Sequence, residues 1–152
     1  MENSPVLAVL DTNVVLDWLV FDDARSSSLG QCLVSGQLRW VATQAMLAEL
    51  TEVLLRPVIA KHCADPVTVL ACVRKYCCLM PVPPGVDDPA PICADPDDQM
   101  FIDLAWTKAA AWLFSRDRAL LELARPALAR GIRITTPALW PGFDDSAAET
   151  QA

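Results

Sequence analysis

Asp11 follows directly on the apolar run Val6–Leu10, and Asp117 follows the apolar residues 110–114 with only Ser115 and Arg116 between. Acids just past the carboxyl ends of buried parallel strands lie where open α/β sheets collect ligands. Taken alone, each aspartate is also an ordinary turn or cap residue; two at the same end of one sheet weaken that account. Glu49 falls at the edge of an apolar stripe of Met46, Leu47, Leu50, Val53 and Leu54, and Asp98 on the flank of one formed by Phe101, Leu104 and Ala105, at about 100° per residue. A carboxylate beside a buried face is costly unless it is paired or bound to a cation. Glu52 and Asp103 point away from these faces and read as solvated. Four carboxylates a few ångströms apart repel one another, so convergence of Asp11, Glu49, Asp98 and Asp117 implies bound hard cations. Oxygen-only ligation selects Mg²⁺ or Mn²⁺ over zinc. Asn13 and Ser115 add neutral oxygens or hold a ligated water.

The third acid has rivals. In Asp95-Pro-Asp-Asp98, an N-cap aspartate, a proline at the first helical position and acids near the helix dipole account for Asp95 and Asp97 completely. Asp98 is preferred over Asp97 or Asp95 for its helix phase alone.

The elements that must position these residues are short. Strands are predicted at 6–10, 38–42, 79–82, 110–114 and 132–135. Helical pieces are predicted at 14–19 and 26–34 (the second closed by Gly36), at 67–78, from 95–98 to 108, and at 118–124. Another helix is capped by Thr43 and stopped near Arg56 by Pro57. Residues 81–91 are proline-rich and read as a loop. Strands alternating with helices imply an α/β sandwich around a mostly parallel sheet. Residues 1–143 form one domain, and 144–152 an acidic, disordered tail.

Composition narrows the function. In 152 residues, 53% hydrophobic, Lys and Arg number 12 against 19 Asp and Glu, a net charge of −7. That argues against nucleic-acid binding through a broad basic face, whereas metal ions at a carboxylate site supply the missing positive charge. Five glycines without a phosphate-cradling motif, and the single His62, exclude common nucleotide loops and most histidine catalysis. The six cysteines lack C-x-x-C spacing and read as buried free thiols of a reducing compartment. The acidic opening MENSP and the charge-interrupted apolar runs predict a soluble, cytoplasmic protein with no membrane span.

The strand leading into Leu10-Asp-Thr-Asn13, the helical Ala48-Glu49-Leu50, Asp95-Pro-Asp-Asp98 with Phe101 and Ala105, Phe114-Ser-Arg-Asp117 and the segment 132–137 together resemble PIN-domain nucleases. They resemble in particular the toxin-type PIN proteins of prokaryotic toxin–antitoxin pairs. The resemblance implies a three-layer α/β/α sandwich and Mg²⁺- or Mn²⁺-dependent hydrolysis of phosphodiester bonds, usually in RNA, leaving a 5′-phosphate and a 3′-hydroxyl. Asp11, Glu49, Asp98 and Asp117 take the acidic metal positions, supported by Asn13 and Ser115. It also implies an antitoxin protein whose Arg or Lys reaches the carboxylates, and a homodimer.

Of the basic residues, Arg56, Arg74, Arg116 and Arg118 are the candidate RNA contacts, with Arg116 and Arg118 preferred because they flank Asp117. Trp106 and Trp112 read as packing residues rather than base-stacking platforms. An aspartyl-phosphate phosphatase would need a second carboxylate where Asn13 stands. The remaining alternative is a PIN-like module that binds RNA or a protein partner without cutting.

Overall fold

The computed structural model describes residues 5–63, 65–82, 88–140 and 142. Its centre is β1 (Val6–Leu10), whose last three residues are buried, as expected of a strand covered on both faces. The other strands are β2 (Leu38–Thr43), β3 (Cys77–Met80), β4 (Trp112–Phe114) and β5 (Arg133–Thr135). All pairings are parallel, in the order β3-β2-β1-β4-β5. The chain winds outward from β1 first to one side, through β2 and β3, and then to the other, through β4 and β5. The switch point therefore lies between β1 and β4.

Side chains alternate across the sheet. Ala8, Leu10, Leu38, Trp40 and Phe114 join the core beneath α1 (Thr12–Leu19), α2 (Ser27–Ser35), α3 (Gln44–Leu54) and α5 (Pro66–Tyr76). Val9, Val41, Leu113 and Ile134 meet α6 (Gln99–Lys108), α7 (Arg118–Leu121) and α8 (Ala124–Leu128) on the opposite face. The result is a three-layer α/β/α sandwich with an entirely parallel sheet. Among the described residues no helix is long and apolar enough to cross a membrane.

Several boundaries differ from expectation. The residue after Pro57 does not leave helical structure: Pro57 opens the short α4 (Pro57–Ala60), where a missing N–H costs nothing. Cys77 and Cys78 belong to β3 rather than to the preceding helix, because pairing of Trp40 with Cys77 and Val41 with Cys78 extends the sheet edge. Cys78 is thereby exposed, so the cysteines are not uniformly buried, although none of the six is disulfide-bonded. The helix expected at 118–124 divides into α7 and α8; Pro126 sits in the first turn of α8, where proline is tolerated. Thr43 occupies the N-cap position of α3 without making a side-chain capping bond. Gly36 ends α2 in the left-handed region, with φ 86°. The predicted tail 144–152 lies outside the described residues.

Candidate metal centre

Asp11 sits where β1 becomes α1. Its N–H donates to the Phe114 carbonyl at 2.9 Å, carrying the β1–β4 ladder one residue past the strand. Although it is the N-cap of α1, its side chain makes no capping bond. The carboxylate is only 4% exposed and accepts the Ser115 hydroxyl at 2.6 Å through Oδ2. A cap-only role does not describe this geometry.

Asp117 follows β4 by three residues and does act as a cap: Oδ1 accepts the Ala119 N–H of α7 at 2.9 Å. Its own N–H donates to Ser115 Oγ at 2.8 Å. Ser115, fully buried, thus joins the two strand-end aspartates through one hydroxyl.

Asp98 arrives from the other direction. Asp95 caps a 3-10 turn, Pro96–Asp98, by accepting the Asp97 N–H at 3.0 Å, and α6 starts only at Gln99. Asp98 therefore stands at the junction of the turn and α6 rather than within the helix, and this turns it inward while Asp97 stays exposed. Asp98 is 7% exposed, and no described donor reaches its buried Oδ2. One carboxylate oxygen from each of Asp11, Asp98 and Asp117 lies within 4.8 Å of the others.

Such crowding shows in the protonation of the metal-free protein. Burial, then the hydrogen bond with Asp117 and the neighbouring negative charges, push Asp98 up to about 8. Asp117 is lowered, chiefly by that same hydrogen bond and by the Ala119 N–H. The pair thus holds a proton to higher pH than an isolated carboxyl would, with Asp98 the raised partner. Burial raises Asp11 as well, against the lowering effect of the Ser115 hydroxyl. A divalent cation fits this donor set: it would replace the shared proton, satisfy Asp98 Oδ2 and offset the mutual repulsion.

Glu49 is not part of the 4.8 Å group. It is half-buried on α3 and accepts the Thr12 hydroxyl through Oε2, while its charge acts on Asp11. All these acids except Asp117 line one cleft of about 700 Å³. Asn13 and Leu16 of α1 form one wall, Ala45, Ala48 and Val53 of α3 another, and Asp95, Asp97 and Met100 the third. Glu52 lies on the cleft rim with its side chain largely exposed, and Arg56 is the basic residue among those lining it.

The other arginines are placed elsewhere. Arg116 holds Asp17 through Nε at 2.6 Å and Nη2 at 3.1 Å, and its N–H donates to Asn13 Oδ1 at 3.4 Å. Arg118 is almost fully exposed, 3.5 Å from Glu122. Arg74 is exposed in the last turn of α5. Trp106 donates to the Asp88 carbonyl at 2.7 Å beneath Arg130, and Trp112 stacks on Phe114, so both are occupied in packing.

Three residues of this arrangement carry no local sequence signal. Thr12 orients Glu49 from the opposite helix. Asp17 is buried against Arg116, which is 99 residues distant. Gln99 staples the approach to Asp98: its Oε1 accepts the Cys93 N–H at 2.7 Å, and its Nε2 donates to the Pro91 carbonyl and to Asp103 Oδ1, both at 3.0 Å. Asp103 is accordingly half-buried and bonded, not freely solvated.

No curated protein matches the chain. A family model described as the PIN domain matches residues 7–119, a span that holds all of β1 but its first residue and every acid of the site. PIN domains are generally metal-dependent nucleases, and the cluster of Asp11, Asp98 and Asp117 at the switch point of the sheet agrees with that chemistry. With the match extending over well more than half of its length, the chain belongs to the PIN domain family.

Proposed function

We propose that the protein is a Mg²⁺- or Mn²⁺-dependent endoribonuclease and the toxin of a toxin–antitoxin pair. The observation that carries the nuclease reading is the trio Asp11, Asp98 and Asp117, with a buried oxygen of Asp98 that no donor among the described residues reaches. The toxin role rests on the resemblance of the ordered motifs to toxin-type PIN proteins. A cytoplasmic location accords with six cysteines in no disulfide.

In this reading Asp11, Asp98 and Asp117 hold the cation. A bound divalent ion supplies an activated water and neutralises charge on the phosphate. The chain does the rest. Thr12 fixes Glu49 on the facing helix, and Asn13 and Ser115 hold the β4–α7 loop. The open cleft admits a single strand, with Arg56 placed to meet a phosphate and Arg118 exposed beside Asp117. Water adds to phosphorus, the P–O3′ bond breaks and the 3′-oxygen takes up a proton, leaving a 5′-phosphate and a 3′-hydroxyl. An antitoxin side chain with a guanidinium or ammonium head suits the same acidic cleft, since it offers the charge that a metal would. A homodimer is proposed with it.

The test is cleavage of a mixed RNA panel with Mn²⁺, Mg²⁺ or EDTA, by wild type and Asp11→Asn. Metal-dependent cutting that the variant lacks supports the nuclease. Absence of cutting together with absence of a thermal shift on adding Mn²⁺ would favour a non-catalytic PIN-like module that binds RNA or a protein.

A further inference from the structure

The loop between β4 and α7 carries Ser115 and Asp117, and its middle residue is clamped from α1. Asn13 and Asp17, one helical turn apart, both face Arg116: the first accepts its backbone N–H, the second its guanidinium. The two guanidinium contacts form a fork on one carboxylate, a geometry that fixes orientation as well as distance. Asp17 has a side chain only 10% exposed, against 49% for Arg116. A carboxylate so buried needs its partner, and no other guanidinium or ammonium lies within ion-pair distance of it among the described residues. Asp17 also accepts the Asp23 N–H at 2.8 Å through its carbonyl, which anchors the turn that follows α1. The pair is thus a strut between α1, whose N-terminus carries Asp11, and the loop that carries Asp117.

We propose that the Asp17–Arg116 pair is a positioning device for the metal centre, holding Asp117 at its distance from Asp11 and Asp98, and is not a contact to the substrate. The proposal rests on the metal-dependent reading above. Neither residue lines the 700 Å³ cleft, and the Nε–Nη2 edge of the guanidinium is turned to the buried Asp17 carboxylate. Asp17 and Arg116 act through Ser115 and Asp117, and on neither the ion nor the RNA directly.

The test measures Mn²⁺ affinity by calorimetric titration, with metal-free melting curves as the folding control. Its variants are Arg116→Ala, Arg116→Lys, Asp17→Asn and the double variant. Wild type should bind Mn²⁺, and Arg116→Ala and Asp17→Asn should each weaken it by about tenfold or more, the scale on which outer-shell partners act. The double variant should be no worse than either single one, since both remove the same strut. Arg116→Lys keeps the charge without the fork and should recover part of the affinity. RNA binding in EDTA should be unchanged throughout.

A substrate contact predicts a different pattern: Arg116→Ala weakens RNA binding in EDTA, Asp17→Asn strengthens it by freeing the cation, and Mn²⁺ affinity stays put. That pattern overturns the proposal while leaving the metal centre intact. Failure of wild type to bind Mn²⁺ overturns the metal-centre reading and the proposal with it. Should Asp17→Asn not fold, the half-exposed Arg116 variants decide the matter alone.

Discussion

Ser115 Oγ donates to Asp11 Oδ2 at 2.6 Å and accepts the Asp117 N–H at 2.8 Å, so one buried hydroxyl sets the spacing of two acids more than a hundred residues apart. Ser115→Ala leaves Asp117 N–H without its acceptor and Asp11 without its donor. The expected cost is about 1–3 kcal/mol, read as a lower melting temperature together with weaker Mn²⁺ binding. Asp11→Asn should behave oppositely in the metal-free state. It removes a buried, repelled carboxylate, so melting stays equal or rises while Mn²⁺ binding and cleavage are lost. A large loss of stability in Asp11→Asn would assign that residue a structural role.

Protonation gives a second handle. Asp98, raised by burial and by its acidic neighbours to about 8, binds a proton in the folded state that an unfolded carboxyl has already released. Its contribution to stability is complete below the unfolded value near 3.8 and is lost as pH rises through about 8. Metal-free protein should therefore melt at lower temperature as pH climbs across that window. Asp98→Asn should flatten the slope. Saturating Mn²⁺ should counter it, because the ion displaces the shared proton and binds more tightly at higher pH. Melting curves across the window, with and without Mn²⁺, provide the check.

Gln99 uses its whole amide: Cys93 N–H on Oε1, and the Pro91 carbonyl and Asp103 on Nε2. Gln99→Ala frees the segment leading into the Asp95-capped turn. A destabilisation of about 1–3 kcal/mol is expected, with a drop in Mn²⁺ affinity because Asp98 immediately precedes it. Gln99→Glu should be at least as harmful, since a carboxylate cannot donate to Pro91 and is repelled by Asp103. Thermal melts and metal titration of both variants would show it; unchanged affinity in either would detach this staple from the site.

Arg56 is the basic residue among those lining the cleft, and its pairing with Glu52 is long, at 3.9 Å. Arg56→Ala should raise KM for RNA with little change in kcat. The slope of log binding constant against log salt should fall by about 0.7, the value of one single-strand phosphate contact. Glu52→Gln, exposed and weakly paired, should change stability by less than about 0.5 kcal/mol. Steady-state kinetics at several salt concentrations separate these effects.

Val6–Leu10 is an apolar run ending at an aspartate, and its buried strand was legible because a strand covered on both faces needs no polar residue until it ends. The stripes around Leu50 and Phe101 likewise oriented α3 and α6, because a 3.6-residue period reports a buried face locally. Boundaries were less visible where pairing with a neighbour decides them: Cys77 and Cys78 are strand only because β2 lies beside them. Asp98 was singled out by helical phase, yet it owes its inward position to a 3-10 turn capped by Asp95.

The types and order of Asp11, Glu49, Asp98 and Asp117 belong to the sequence alone, for they follow from acids set against apolar elements. That three of them share a 4.8 Å space while Glu49 waits on Thr12 across the cleft belongs to the tertiary structure. So does the capture of Arg116 by Asp17. Contacts between side chains so far apart in sequence have no periodicity to betray them; they exist only once the outward winding of the sheet in two directions has brought the ends of β1 and β4 together.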